Sequence, residues 1–344
     1  MSERNLNIDA LRILSCIFVI GIHATYNFNP NGLMDFNNYA GLFLHSIFRS
    51  GLPVFFIISG YYLLNSKITS IKSFYFKRLV NIIIPFLMYS LLHFIIMNRE
   101  STLSLNIYSD YFIKLVNGSL SVHFWFVYVI IGMYLFTPVF SNIINEVSDK
   151  TLNLSFISLL MAYFINMYSS NLTDINIKQF ELPYLNHWYL YFFIGGYIGR
   201  KKFTMKKITA ISFIVIGYIL TVISVYKTKN YHYLMPFDSG INMIILSTSI
   251  FLFFARTDFS FSRGGFIITE ISKHTYGVYL IHMAILNVIY VYFMTSNIVY
   301  NSLMMICTCL SISFVISYIT DNILIKRIII LSGVSRTLST PDRK

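Results

Sequence analysis

The chain has 344 residues, of which 56% are hydrophobic and only 12% charged, with a mean hydropathy of +0.65 and a formal net charge of +12. Soluble domains carry roughly 25% charged residues, so this chain has too little charge to cover a water-facing surface. A positive excess of this size would suggest a nucleic-acid partner in a soluble protein. Here the charges are distributed as membrane topology requires, and no nucleic acid is expected.

Apolar blocks long enough to cross hydrocarbon, about 20 residues each as helix, recur from end to end. Runs such as 79–97 and 208–226 are apolar all round, which predicts helices rather than the alternating strands of a closed barrel. Ten spans are predicted, over 10–28, 39–64, 79–97, 122–141, 152–169, 183–199, 208–226, 239–255, 275–295 and 299–323. The first run keeps polar residues and reads as a retained helix rather than a cleaved leader. Cys16, Cys307 and Cys309 fall inside apolar runs without metal-ligand spacing, so neither a metal site nor a disulfide framework is expected.

With the N-terminus taken as cytoplasmic, 19 Lys and Arg residues fall on that side and 5 on the other, Arg12 and Arg49 lying within spans. The positive-inside rule then places both termini in the cytoplasm. The expected fold class is an all-α polytopic membrane protein. Its helical bundle would occupy residues 1–330, followed by a short polar tail over 331–344. In the loop 98–121, the apolar stretch Tyr111–Val116 is predicted to lie along the surface.

Ionisable side chains inside spans cost at least a few kcal/mol on insertion scales and are functional candidates by default. The first span carries Asp9, Arg12 and His23. Asp9 and Arg12 are i,i+3 neighbours that can pair. Arg12 and His23 are eleven residues apart, three helical turns plus roughly 20°, so they share a face about 16 Å apart. The alternative reading is that Asp9 and Arg12 simply mark the cytoplasmic interface, with Arg12 snorkelling. The second span contains Arg49, with Gly51 and Pro53 interrupting the helix beside it, and continues to Ser59-Gly60. Broken helices at this depth line cavities or are covered by protein. A loop ending in Phe74-Tyr-Phe-Lys77-Arg78 then leads into the third span, either as ordinary positive-inside charge or as a site for anionic phosphates.

His123-Phe-Trp125 opens the fourth span and His187-Trp188 the sixth. Both positions suit an interfacial aromatic belt. In the ninth span Ser272, Thr275, Tyr279 and His282 fall on one helix face, with Tyr276 beside it. Such a face inside hydrocarbon must meet polar partners or water. The chain has no HExxH, GxSxG, P-loop or GxGxxG motif, so any chemistry must come from the intramembrane His and Arg residues.

At these residues the chain resembles the membrane-bound acyltransferase-3 family. The parts appear in order: Asp9-Ala-Leu-Arg12 with His23, an Arg-x10-His spacing; Arg49 with Pro53-Val-Phe-Phe-Ile-Ile-Ser59-Gly60; Phe76-Lys77-Arg78 with Pro85; His123-Phe-Trp125; and Ser272, Tyr276, Tyr279-Leu-Ile-His282. The family's Arg-x-x-Arg at the third span is not kept, because its second position is Asn81. That leaves Lys77 and Arg78 as substitutes for the donor contacts the motif implies.

The resemblance implies transfer of an acyl group, usually acetyl, from cytoplasmic acetyl-CoA to a hydroxyl of a cell-surface polysaccharide or its lipid-linked precursor. It implies no bound cofactor and a bacterial cytoplasmic membrane location, and it leaves homo-oligomerisation open. His23, Arg12 and Asp9 would be catalytic, His23 as base or as carrier of the acetyl group. Arg49, Ser59, Lys77, Arg78, His123, Trp125, Tyr276, Tyr279 and His282 would contact substrate or donor. The competing reading is a polytopic transporter or exporter of a glycan or small solute, since polar residues inside ten spans fit that class too. A membrane sensor with attached partner domains fits less well, for want of a soluble extension.

Overall fold

A computed structural model describes residues 5–25, 28–29, 32, 35–98, 106–172, 186–228, 238–256, 264–293, 295, 297–325 and 327. The tail 331–344 lies outside the described residues. Thirteen α-helices are present among the described residues: α1 Leu6–Ala24, α2 Phe36–Phe48, α3 Gly51–Leu63, α4 Ile71–Arg78, α5 Ile84–Met97, α6 Asn106–Val116, α7 Trp125–Glu146, α8 Asp149–Leu172, α9 His187–Lys201, α10 Lys207–Thr228, α11 Ile241–Arg256, α12 Gly265–Ile289 and α13 Ile298–Thr320. Eight helical stretches are long and apolar enough to cross a membrane, five of them joined from shorter pieces: Phe36–Leu63 (α2–α3), Ile71–Met97 (α4–α5), Val122–Glu146 (α7 with the turn before it), Gly265–Tyr292 (α12 with the turn after it) and Ile298–Ile323 (α13 with the start of the turn after it). Large apolar side chains cover the outside of the bundle, among them Phe136 and Val139 on α7, Ile216 and Ile219 on α10 and Val315 on α13. An apolar exterior of this kind is lipid-facing, and the chain is an all-α polytopic membrane protein.

The predicted spans 183–199 and 239–255 correspond to shorter helices, α9 with 15 residues and α11 with 16. At 1.5 Å per residue each rises roughly 22–24 Å, less than the hydrocarbon thickness. Their positions explain the shortness. α9 packs against α3 and α7, and α11 against α10 and α3, so both are largely sheltered by protein.

Two other expectations are corrected. The third helix begins at Ile71, not near 79, because the Ser70 hydroxyl accepts the Ser73 amide and caps it. Lys77 and Arg78 therefore sit in a helix rather than in a loop. A π-helical turn over Leu79–Ile83 joins α4 to α5, and the Asn81 side chain donates to the Lys77 carbonyl (2.8 Å). The 98–121 region holds α6, anchored by the Tyr111 hydroxyl on Ser90 Oγ (2.9 Å) of α5. The break in the second span falls at Arg49–Ser50, ahead of Gly51. There a Cβ would meet the Ser15 carbonyl of α1 at 2.8 Å, so glycine permits the close approach.

The α3–α9 crossing is the tightest. A Cβ on Gly60 would overlap the backbone of Phe192, and one on Gly195 the backbone of Ile57. Backbone cannot step aside as a side-chain tip can. Gly60→Ala and Gly195→Ala should each lower the detergent-solubilised melting temperature, at a cost of about 1–3 kcal/mol. At Gly132 the nearest atom is the Tyr189 hydroxyl at 3.1 Å, and Gly132→Ala should be neutral. Equal melting temperatures across the three variants would contradict this account of the crossing.

Candidate functional site

α12 is the central element, packed against α1, α13 and α5. The face predicted from its polar residues is the face turned towards α1 and α7. At one end the Ser272 hydroxyl donates to Asp9 Oδ1 (2.9 Å) and Arg12 Nη1 donates to the same oxygen (3.1 Å). Asp9 is 1% exposed, so this carboxylate is held inside the bundle by a guanidinium and a hydroxyl. Arg12 also lies over the Tyr62 ring of α3, at 5.4 Å. Thr275 donates back to the Ser272 carbonyl and plays no part in the cluster.

At the other end of α1 the imidazoles gather. The His23 ring centroid is 5.4 Å from that of His282, and His282 is 4.8 Å from His123. The Tyr279 hydroxyl donates to the His123 carbonyl, fixing α12 to the start of α7. A fourth imidazole, His93 on α5, lies 5.6 Å from His123. No motif or spacing marked His93. It is buried like its neighbours, and only the packing of α5 reveals it.

Hydrogen bonding fixes the tautomers of two of these rings. His282 Nδ1 faces the Tyr279 carbonyl, which only accepts, so Nδ1 carries the proton. In a neutral ring that leaves Nε2 a bare lone pair, and Nε2 has no hydrogen-bond partner among the described residues. His123 Nε2 faces the Leu280 carbonyl at 3.2 Å and its Nδ1 the Ser121 hydroxyl at 2.8 Å. Both nitrogens of His123 are therefore committed. His23 is half-buried, so of the paired rings it is the accessible one, with a waiting acceptor beside it. Among the described residues no group of three or more His, Cys, Asp or Glu side chains is arranged to hold a metal ion.

Arg49 follows the last residue of α2, where the helix dipole favours a cation, and Nη1 pairs with Asp238 Oδ2 at 3.1 Å. It lies close enough to His23 to act on it electrostatically. The Trp125 ring packs against that of Trp188 of α9, tilted by 35° with centroids 4.7 Å apart. Ser59 is half-buried on α3, and among the described residues it forms no hydrogen bond to either cluster.

A separate site lies at the α4–α7 contact. A cavity of about 490 Å³ is lined by Lys72, Tyr75, Arg78, Ile82, Ile131 and Tyr134, among others. The Arg78 guanidinium lies 4.6 Å from the Phe74 ring and 5.3 Å from that of Tyr134, and its Nε is buried with no partner among the described residues. Tyr276, from α12, donates to the Ile82 carbonyl (3.1 Å) inside the π-helical turn and so ties this region to the central helix. Lys77 is half-buried and does not line the cavity.

One polar cluster matches no expectation. On the opposite face of α12, His274 Nδ1 meets Asp321 Oδ2 at 2.7 Å, and the Tyr89 hydroxyl donates to Asp321 Oδ1 (3.2 Å). It joins α12 to α13 and α5, away from His23.

A family model described as an acyltransferase domain matches residues 5–321. Neither a curated protein nor a solved structure gives a significant match.

Proposed function

The chain belongs to the acyltransferase-3 family and is a membrane acyltransferase, and from that premise we propose that it moves an acetyl group from cytoplasmic acetyl-CoA to a hydroxyl of a cell-surface polysaccharide or its lipid-linked precursor. The observation that carries this reading is the distribution of groups along α1. Asp9 and Arg12 lie at one end and the His23–His282 pair at the other, on a single face. The Lys and Arg distribution supports a cytoplasmic Arg12 end, and we take the membrane to be a bacterial cytoplasmic membrane. CoA is polyanionic, and the Arg78 cavity with Lys72 at its edge offers it cations and an apolar wall. Asn81 fastens the π-helical turn instead of supplying a second guanidinium.

In the transfer the acceptor oxygen attacks the thioester carbonyl carbon and the C–S bond breaks. The hydroxyl proton passes to His23, and the electron pair leaves on the CoA sulfur, which takes a proton from water on the donor side. When the His23 ring turns one N–H to the unpartnered lone pair of His282 Nε2 beside it, its other nitrogen is left as the base. Arg49 supplies positive charge near the developing oxyanion.

The test is release of CoA thiol from acetyl-CoA by purified protein in liposomes. Release should depend on added glycan and be matched by ester formation on it. Passage of a solute through the liposomes with no thiol released for any glycan would assign a transporter instead.

A further inference from the structure

We propose that the Trp125–Trp188 pair, with His187 and the Arg49–Asp238 pair, is the seat of the acceptor, and that it takes an uncharged sugar ring. The proposal rests on the acyl-transfer reading above and adds to it the place and the chemistry of the acceptor.

The chain has two tryptophans, on helices distant in sequence, and the fold packs them against each other with centroids 4.7 Å apart and planes tilted by 35°. An interfacial belt would turn both indoles to lipid headgroups. Instead Trp188 is 6% exposed and is backed by Phe56 of α3 at 5.1 Å. Trp125 is half-buried, with one face supported by Trp188. A rigid, supported indole of this kind presents an amphipathic surface to the apolar C–H face of a sugar.

The polar groups lie beside it. The His187 ring is 4.2 Å from Trp188, its Nε2 is buried without a hydrogen-bond partner among the described residues, and Asp238 lies within electrostatic reach. The Asp238 carbonyl accepts from the Tyr191 hydroxyl (2.8 Å), which fixes its backbone. Its carboxylate pairs with Arg49, and both side chains keep about three-tenths of their surface exposed (31% and 28%). A carboxylate accepts and a guanidinium donates, so together they match a hydroxyl that does both. The pair is neutral overall, which suits an uncharged ring rather than a phosphorylated or carboxylated one. Arg49 in turn lies within electrostatic reach of His23. The indole pair and the ion pair therefore flank His187, and Arg49 brings its charge towards His23. Pockets that combine aromatic walls with a few fixed polar groups are the usual form of small-ligand sites.

Because both tryptophans belong to the proposed seat, their fluorescence reports on it directly. The probes are methyl glycosides of glucose, galactose, mannose and N-acetylglucosamine, with glucose 6-phosphate as the anionic comparison. At least one neutral glycoside should change the emission of protein in nanodiscs saturably, and glucose 6-phosphate should bind more weakly than it. In the acetylation assay Trp125→Ala and Asp238→Asn should each raise the acceptor KM by about tenfold, with the acetyl-CoA KM within about twofold of wild type. Trp125→Phe should recover most of the loss and Trp125→Leu little of it, because Leu restores bulk without the ring face a sugar packs on. No emission change with any neutral glycoside, or an unchanged acceptor KM in Trp125→Ala and Asp238→Asn, overturns the seat while leaving the acyl-transfer reading intact. A saturable emission change in a protein that releases no CoA thiol would keep the seat and defeat that reading.

Discussion

Replacing His23 with alanine is expected to lower the acetylation rate by about 10²–10⁴-fold, the range that a positioned acid–base group contributes. Acetyl-CoA binding, yield and elution in detergent should match wild type, because His23 is half-buried in the last turn of α1 and the described backbone does not depend on it. His282→Ala should cost less, about 10- to 100-fold, since on this account it orients His23 and takes no proton itself. The two losses should not add, because a base and its orienting acceptor act as a unit. Full acetylation by His23→Ala would remove His23 from the reaction. Additive losses would separate the two imidazoles and contradict the tautomer assignment drawn from the Tyr279 carbonyl.

What the sequence could reveal of this site follows from periodicity. Arg12 and His23 could be placed on one face because both lie on one uninterrupted helix, and the pairing of Asp9 with Arg12 follows from their spacing. The same holds for Ser272, Tyr279 and His282 on α12. Contacts between helices carry no such signal. Asp238 stands 189 residues from Arg49, outside any apolar run, so nothing marked it as the partner. His187 and Trp188 were legible only as belt residues, and the α3–α9 crossing is what turns Trp188 inward. The start of α4 was misread for a local reason. Lys72, Ser73, Lys77 and Arg78 look like a loop, yet a serine cap begins the helix and aromatic rings at Phe74 and Tyr134 shelter the arginine. The π-helical turn adds one residue to the register, which no periodic pattern anticipates.

Asp9→Asn is expected to have the second large effect, on folding as well as on activity. The Asp9 carboxylate is 1% exposed and accepts from both Arg12 and Ser272. The amide cannot carry the charge that balances Arg12, and removing one member of a buried ion pair costs about 3–5 kcal/mol because the other charge remains uncompensated. Ser272→Ala removes one hydrogen bond to a charged group, about 1.5–3 kcal/mol. Arg12 at 25% side-chain exposure keeps some access to water, which reduces the penalty towards the lower end of the ion-pair range. The melting temperature should therefore rise in the order Asp9→Asn, Ser272→Ala, wild type. In Asp9→Asn,Arg12→Gln the unbalanced cation is gone, so stability should return towards wild type, while turnover should not if Arg12 meets the donor. That divergence separates a group kept for folding from one kept for chemistry. A double variant as unstable as Asp9→Asn would show that the carboxylate acts through Ser272 and the packing of α1 on α12, and not through the arginine.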